Sequence, residues 1–125
     1  MAIKNLGKDE SDWNESIETD LIFLCLFGIE DPLCPEAPSS VSRCQQSGTK
    51  IRMVTGDNPE TAKKIAQQCG IYQEGGICMT GPEFREMYLN DPQKLIDLLP
   101  NLQVLARSSP EDKYILVREL KNAVR

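Results

Sequence analysis

Residues 51–70 read Ile51-Arg-Met-Val-Thr-Gly-Asp-Asn-Pro-Glu-Thr-Ala-Lys-Lys-Ile-Ala-Gln-Gln-Cys-Gly70, a run that combines a short apolar strand, a polar loop and an amphipathic helix. Asn58 is a favourable N-cap, and Pro59 suits the first helical position because its missing N–H is not needed there. The spacing predicts one buried helical face and a glycine stop, formed by Ala62, Ile65, Ala66, Cys69 and Gly70. The loop Thr55-Gly56-Asp57 therefore begins at the carboxyl end of a strand.

This loop has two interpretations. In open α/β sheets, ligands bind at the carboxyl ends of strands, and the free N–H groups at the start of a helix attract phosphate. An ordinary strand-to-helix turn would have the same sequence pattern. Residues 51–70 alone do not distinguish a phosphate site from a turn.

A second segment repeats the order of strand, loop and capped helix. Residues 103–106 predict a buried strand, and Arg107 opens the loop that follows it. Ser109 is the predicted N-cap, Pro110 the first helical residue, and Asp112 occupies the capping-box position. The helix is predicted to bury Val117, Leu120 and Val124.

Lys113 lies in the first turn of that helix, where a positive charge opposes the helix dipole. Two explanations fit this position. Lys113 is either a solvated surface lysine or a residue that contacts phosphate.

The remaining segments complete the predicted order of elements. Residues 21–29 predict a buried strand, and Asp31 begins a turn before Pro32, either as a functional carboxylate or, as the favoured alternative, as an Asx turn. Residues 36–48 predict a helix with a buried face of Ala37, Val41 and Cys44. Residues 72–81, which contain two adjacent glycines, predict a loop or small hairpin.

Two short helices are expected next. The first, residues 82–88, buries Phe84 and Met87 and exposes Arg85, and the second is capped by Asp91 and ended by Pro100. The alternation of strands and helices predicts an α/β fold with a parallel sheet and right-handed crossovers. The strands before Thr55 and Arg107 should be neighbours, so both loops should converge at one edge of the sheet.

Composition narrows the classes of function. The chain has 125 residues and a net charge of −5, which argues against a nucleic-acid-binding protein because such proteins need a basic surface. Five scattered cysteines and no histidine argue against a zinc site and favour reduced thiols over a disulfide framework. The longest apolar run is about half a bilayer span and no signal peptide precedes it, so a soluble intracellular chain is expected.

Three ordered motifs carry a resemblance over about residues 20–121. They are Gly28-Ile-Glu-Asp-Pro-Leu33, Ile51-Arg-Met-Val-Thr-Gly-Asp-Asn58, and Leu102-Gln-Val-Leu-Ala-Arg-Ser-Ser-Pro-Glu-Asp-Lys113. With them the chain resembles the cytoplasmic part of P-type cation-transporting ATPases, most closely calcium pumps of the plasma or vacuolar membrane. The resemblance implies that residues 1–30 are a leader and the end of the nucleotide-binding domain, and residues 31–125 the central part of the phosphorylation domain.

The resemblance also implies a haloacid-dehalogenase-like fold, in which an aspartate accepts the γ-phosphate of ATP with the help of Mg²⁺. Thr55 then hydrogen-bonds the phosphoryl group, and Gly56 and Asp57 shape the loop and contact nucleotide or the domain hinge. Lys113 neutralises phosphoryl charge, and Arg107 contacts nucleotide. These roles agree with phosphoryl transfer, which depends mostly on positioning and charge stabilisation.

The chain departs from the family pattern in what it lacks. Neither the Asp-Lys-Thr-Gly-Thr motif of the phosphorylated aspartate nor the later Thr-Gly-Asp-Gly motif of the magnesium ligand occurs in the sequence, so no metal ligand is assigned. Cys34 stands where relatives usually carry arginine. The resemblance therefore implies an incomplete sheet without the nucleophile strand and the last motif strand, and a segment that is inactive in isolation.

Three functions remain open. The chain is a fragment of a calcium-pumping ATPase whose partners are ATP and the nucleotide-binding, actuator and transmembrane domains. Alternatively it is a standalone phosphate- or nucleotide-binding module, or a truncated product that pairs with an intact pump. The transported ion follows from the resemblance alone, because cation ligands of such pumps lie in membrane helices.

Overall fold

The computed structural model describes residues 1–4, 18–28 and 32–123, which form two compact units, Met1–Pro32 and Leu33–Arg125. The predictions made for Asp31 and for Val124 lie outside the described residues, as do residues 5–17 of the predicted leader. The domain boundary predicted from the resemblance stays a prediction.

The first unit contains one small antiparallel pair. Strand β1 (Ala2–Ile3) pairs with strand β2 (Ile22–Phe23). The prediction of a buried strand over residues 21–29 is wrong, because among residues 21–28, which the structure describes, only Ile22–Phe23 form a strand and Phe23 is 70% exposed. An apolar run is buried only where a second layer covers it, and the described residues of this unit supply no such layer.

The second unit is a three-stranded parallel sheet flanked by helices. Strands β3 (Met53–Val54), β4 (Ile77–Thr80) and β5 (Leu102–Ala106) lie in the order β3-β5-β4. Both β3 and β4 pair in parallel with β5. The predicted α/β class is therefore confirmed, as is the predicted neighbour relation between the strand before Thr55 and the strand before Arg107.

Five α-helices accompany these strands within the described residues. They are α1 (Ala37–Gln46), α2 (Pro59–Gln68), α3 (Gly81–Asn90), α4 (Pro92–Leu98) and α5 (Pro110–Ala123), and a 3₁₀ turn (Leu99–Asn101) follows α4. The side chain of Asn58 accepts the Thr61 N–H at the start of α2, and Asp91 accepts the Lys94 N–H at the start of α4. Both caps were predicted from the sequence.

The central strand β5 is buried on both faces, as expected for a parallel strand between helical layers. Leu105 belongs to a core cluster with residues of α3, α4 and α5, whereas Val104 and Ala106 pack with α2. Phe84 and Leu95 are fully buried in the first cluster. The helical layers on both faces hold β5 and the loop that follows it.

Three details differ from the sequence prediction. Residues 77–80, predicted as loop or hairpin, form β4 immediately after the two glycines. Cys44 is exposed rather than on the buried face of α1, where Ala37 and Val41 make the contacts with the core. Val117 is 51% exposed, and the buried apolar residues of α5 are Ile115 and Leu116.

The buried face of α5 was predicted incorrectly in part, and the reason is physical. Asp112 is fully buried, and residues three and four positions further along a helix share its face. Ile115 and Leu116 therefore point inward with it. The prediction treated Asp112 only as a cap, and so it included the exposed Val117 in the buried face, whereas its placement of Leu120 against the core is confirmed.

Candidate functional site

The loop after β3 is held by hydrogen bonds within itself. The Thr55 N–H donates to the Leu105 carbonyl at 3.0 Å, which extends the pairing with β5 by one residue. The Thr55 hydroxyl accepts the Asp57 N–H at 3.1 Å and donates to the Asp57 carboxylate at 2.7 Å. Thr55 is half-buried, and Gly56 and Asp57 are exposed.

The loop after β5 is bonded directly to the loop after β3. The Arg107 N–H donates to the Asp57 carbonyl at 2.8 Å, and the Ser108 N–H donates to the Thr55 carbonyl at 2.9 Å. The Ser108 hydroxyl donates to the same Thr55 carbonyl at 3.1 Å. The predicted convergence of the two loops at one sheet edge is confirmed by these three hydrogen bonds.

Arg107 has an unusual backbone conformation. Its φ of 45° lies in the left-handed region, which non-glycine residues adopt rarely and at an energetic cost. The hydrogen bond to Asp57 holds the residue in this conformation, and the Arg107 side chain is exposed. The chain thereby turns sharply out of β5 toward the start of α5.

The start of α5 forms a complete capping box. The Ser109 N–H donates to the Asp112 carboxylate at 2.7 Å, and the Asp112 N–H donates to the Ser109 hydroxyl at 3.2 Å. The predicted roles of Ser109 and Asp112 are confirmed. Lys113 follows as the fourth residue of the helix, with its side chain exposed.

The capping carboxylate of Asp112 also pairs with α3. Arg85 Nη1 donates to both carboxylate oxygens, at 2.6 and 2.7 Å, and the Arg85 side chain is 38% exposed. Burial by itself raises the pKa of Asp112. The hydrogen bonds from Ser109 and Arg85, together with the positive charge of Arg85, outweigh this effect and lower the pKa below its ordinary value.

The sequence prediction did not assign this role to Arg85, which it placed among exposed residues. A buried carboxylate requires a partner, but the partner lies 27 positions away in the chain. The one local signal was Thr80-Gly-Pro-Glu83 at the start of α3, where Thr80 and Glu83 form a second capping box. That signal fixes where α3 begins and hence which face carries Arg85.

Gly81, the first residue of α3, packs against the start of α5 in a place where a side chain does not fit. A Cβ atom at this position would lie 2.5 Å from Asp112 Oδ2 and 2.6 Å from the Arg107 carbonyl oxygen. The start of α3 therefore packs directly against the loop after β5. Together Gly81 and Arg85 support the segment that carries Lys113.

Substituting Gly81 tests this close approach. We expect Gly81→Ala to lower the free energy of unfolding by about 1–3 kcal/mol, because the methyl group displaces backbone and a buried carboxylate. Urea denaturation of the 125-residue chain measures the change. Gly56→Ala is the matched control, since a Cβ there meets nothing within 4 Å and should change stability by less than about 0.5 kcal/mol. Equal effects of both substitutions would contradict the role given to Gly81.

Five site residues predicted from the sequence thus lie on the two bonded loops or at the start of α5: Thr55, Gly56, Asp57, Arg107 and Lys113. Arg107 and Lys113 take part in no ion pair within the described part of the chain. A hydroxyl, loop amides and two free cations at the carboxyl edge of a parallel sheet are groups that bind phosphate oxygens. The same residues offer one exposed carboxylate, Asp57.

A protein-family model for haloacid dehalogenase-like hydrolases matches residues 4–123 of the sequence. The chain belongs to this family. The fold agrees with the assignment, since haloacid-dehalogenase-like architecture was predicted and the structure is an α/β parallel sheet with flanking helices.

Curated relatives of this haloacid dehalogenase-like chain are calcium-transporting ATPases. Calcium-transporting ATPase PAT1 of Dictyostelium discoideum is 48% identical over 98% of the chain, and calcium-transporting ATPase 2 of Schizosaccharomyces pombe is 52% identical over 87%. Plasma membrane calcium-transporting ATPase 4 of Homo sapiens is 41% identical over 94%. The resemblance to calcium pumps is therefore confirmed. The chain spans only 11%, 8% and 10% of the lengths of these three relatives.

None of the helices in residues 1–4, 18–28 and 32–123 is long and apolar enough to cross a membrane. Within the same ranges, no three side chains of His, Cys, Asp or Glu are grouped so that they could hold a metal ion.

Proposed function

We propose that this chain is a segment of an ATP-driven calcium-transporting P-type ATPase, and that it carries the phosphate-positioning loops of the phosphorylation domain. The observation that supports this proposal is the pair of hydrogen-bonded loops at one sheet edge, in a chain whose relatives are calcium-transporting ATPases. Residues 31–125 then form the central part of the phosphorylation domain, and residues 1–30 a leader and the end of the nucleotide-binding domain.

In the parent protein, ATP supplies the phosphoryl group and Mg²⁺ neutralises part of its charge. The groups in this chain that fit phosphate are the Thr55 hydroxyl, the amides of Gly56 and Asp57, and the cations of Arg107 and Lys113. Thr55 and Lys113 contact the phosphoryl group, and Arg107 contacts the nucleotide. The Mg²⁺ ligands belong to the missing Thr-Gly-Asp-Gly motif, so no metal ligand is assigned to this chain.

The hydrogen bonds of Thr55 preorganise the loop for binding phosphate. The Thr55 hydroxyl donates a hydrogen bond to the Asp57 carboxylate at 2.7 Å, so the hydroxyl is already oriented as a donor. When a phosphoryl oxygen arrives, it replaces the Asp57 carboxylate as the acceptor. The Asp57 N–H bond to the same hydroxyl keeps the loop in place during this exchange.

The position of the missing nucleophile follows from the sheet order. β5 occupies one side of β3, and among the described strands none pairs with the other side. An aspartate that accepts the phosphoryl group must lie within reach of Thr55 at the carboxyl end of its own strand. We therefore place the nucleophile strand of the parent protein beside β3.

The partners of the segment follow from this proposal. They are ATP and the rest of the pump, namely its nucleotide-binding, actuator and transmembrane domains. The segment would be a cytoplasmic part of a protein in the plasma or vacuolar membrane. Nucleic acid is not proposed as a partner, because the net charge of −5 disfavours binding to a polyanion.

A segment exchange tests the proposed function. The corresponding residues of the Schizosaccharomyces pombe calcium-transporting ATPase 2 would be replaced by this chain, with which they share 52% identity. ATP-dependent calcium uptake into membrane vesicles should persist within about an order of magnitude of the unmodified pump. An exchanged pump that is folded and correctly inserted but transports no calcium would contradict the proposal.

The isolated 125-residue chain should neither hydrolyse ATP nor form a phosphoenzyme. It holds the positioning groups but neither the nucleophilic aspartate motif nor the metal-binding motif, so the phosphoryl group has no acceptor. Incubation with γ-labelled ATP followed by acid quench measures incorporation, and the exchanged pump is the positive control. Acid-stable label on the isolated chain would favour an independent catalytic module.

Two alternative functions make different predictions. A standalone phosphate- or nucleotide-binding module would bind ATP without any flanking pump sequence, and a truncated product would act by pairing with an intact pump. The gene sequence on either side distinguishes them from a pump segment. An in-frame Asp-Lys-Thr-Gly-Thr motif upstream and a Thr-Gly-Asp-Gly motif downstream would support the pump, and stop codons directly flanking the segment would support the alternatives.

A further inference from the structure

A cavity of about 440 Å³ lies at the edge of the sheet opposite the two loops. Its lining includes Arg52, which directly precedes β3, and Asn101, which directly precedes β5. Arg52 and Thr55 flank the two residues of β3, so they are about 10 Å apart at 3.3 Å per strand residue. The cavity is therefore separate from the candidate phosphate site.

The charge of this cavity is unlike that of the chain as a whole. Lys50 and Arg52 line it, and the described residues of its wall include no aspartate or glutamate. The complete chain contains 19 acidic residues and 14 basic ones. A cavity wall with two cations and no carboxylate is thus a local reversal of the overall charge.

Not all hydrogen-bond donors of the Arg52 guanidinium have a partner. One nitrogen donates to the Leu99 carbonyl at 3.1 Å, whereas Nε is buried and has no hydrogen-bond partner. Burial lowers the pKa of Arg52, and the residue forms no ion pair within the described part of the chain. Arg52 as a whole is half-buried, and a cation that is partly removed from water without an ion-pair partner costs free energy.

Neighbouring amides add donors to the cavity. The Gln103 carboxamide oxygen accepts the Gln73 N–H at 2.8 Å, and both residues line the cavity. The acceptor of Gln103 is thereby used, and its NH₂ group remains a donor. Thr49 contributes a hydroxyl to the same wall. Two cations with amide and hydroxyl donors form a set that is complementary to an oxyanion.

We propose that this cavity binds an oxyanion, a carboxylate or phosphate group, which Arg52 and Lys50 pair with. The planar guanidinium of Arg52 suits either group, because both present two oxygens at the spacing of its N–H donors. The volume is that of a small-ligand site, so the anion is a small organic acid or a phosphate rather than a bare halide. The inference stands independently of the proposed pump function.

The site is tested by titrating the complete 125-residue chain with inorganic phosphate and, separately, with citrate, at ionic strength held constant with sodium chloride. Two-dimensional ¹⁵N NMR follows the Arg52 Nε–H signal and the backbone amides of Asn101 and Gln103. We expect saturable shifts of these signals at millimolar concentrations with at least one probe. Saturation by phosphate alone identifies a phosphate site, and saturation by citrate alone identifies a carboxylate site.

Variants identify the residues responsible. Arg52→Met should weaken binding at least about tenfold, because it removes a charge-assisted hydrogen-bonding partner. Lys50→Gln, at an exposed position, should weaken it about threefold, and it keeps the test informative if Arg52→Met does not fold. Arg43→Met on α1 is the matched control and should bind within twofold of the original chain.

Three outcomes would overturn the inference. They are the absence of saturable shifts with both probes, shifts confined to Thr55–Asp57 and residues 107–113, and equal affinity of the Lys50, Arg52 and Arg43 variants. The second outcome would mean that the anions bind only at the candidate phosphate site. The third would mean that they act through general charge screening.

Discussion

In an exchanged pump that carries this segment, Lys113→Ala should slow phosphoenzyme formation about a hundredfold, whereas Lys121→Ala should leave the rate nearly unchanged. Both lysines lie on α5 and both are exposed, so helix propensity and net charge are matched. A contact that stabilises transition-state charge is typically worth about 3 kcal/mol, which is on the order of a hundredfold in rate. An ordinary surface lysine contributes a few tenths of a kcal/mol.

Position along α5 separates the two lysines. Lys113 is the fourth residue of the helix and directly follows the capping residue Asp112, beside the bonded loops. Lys121 is about 12 Å further along the helix at 1.5 Å per residue, which exceeds the Debye length of roughly 8 Å at physiological salt. Its charge is therefore screened from a phosphoryl group near Thr55.

The measurement is the rate of acid-stable phosphate incorporation from ATP, with both variants matched for expression and for membrane insertion. Lys113→Arg adds a second comparison, since it keeps the charge but changes the donor geometry. Equal and mild effects at positions 113 and 121 would indicate that Lys113 is a solvated surface lysine, which is the alternative that the sequence left open.

Local sequence patterns predicted the capped helix starts because the responsible interactions span three residues. Asn58, Asp91 and Ser109 each bind a backbone N–H close to them in the chain. The convergence of the two loops followed from a topological rule, since sequential parallel strands are usually neighbours. The bond between Arg107 and Asp57 was not predictable, because it depends on a left-handed arginine that no local rule anticipates.

The predictions that failed did so for three different reasons. Asp112 was interpreted only as a cap because its partner Arg85 lies on another helix, and Val117 was therefore placed on the buried face of α5. β4 was missed because its four residues follow Gly75 and Gly76, which predict a turn. Residues 21–29 were predicted as buried because their composition is apolar, but composition does not provide a covering layer.

The ion pair between Arg85 and Asp112 should contribute strongly to the free energy of unfolding. Arg85→Met keeps most of the apolar stem but leaves the fully buried Asp112 carboxylate without its cation, and we expect it to lower the free energy of unfolding by about 3 kcal/mol at pH 7. This value is at the low end for buried pairs because Arg85 is 38% exposed and partly screened by solvent. Arg43→Met, on the exposed α1 surface, should cost less than about 0.5 kcal/mol.

The loss of stability caused by Arg85→Met should also depend on pH. In the original chain the folded pKa of Asp112 is lowered, so its contribution to stability is present above the unfolded pKa of about 3.9 and is lost as pH falls toward the folded pKa. In Arg85→Met, the hydrogen bonds and the positive charge of Arg85 no longer lower the pKa of Asp112, so this pKa is higher than in the original chain. The difference in stability between the two proteins should therefore shrink as pH falls through the pKa of Asp112 in the variant.

The double variant Arg85→Met/Asp112→Asn separates charge pairing from packing. Asparagine can still accept the Ser109 N–H, but it leaves no buried charge without a partner. The double variant should therefore be more stable than the sum of the two single effects predicts, with a coupling of about 1–3 kcal/mol in urea denaturation. Additive effects with no pH dependence would mean that the two residues stabilise the start of α5 independently, and that Arg85 does not hold the carboxylate beside Lys113.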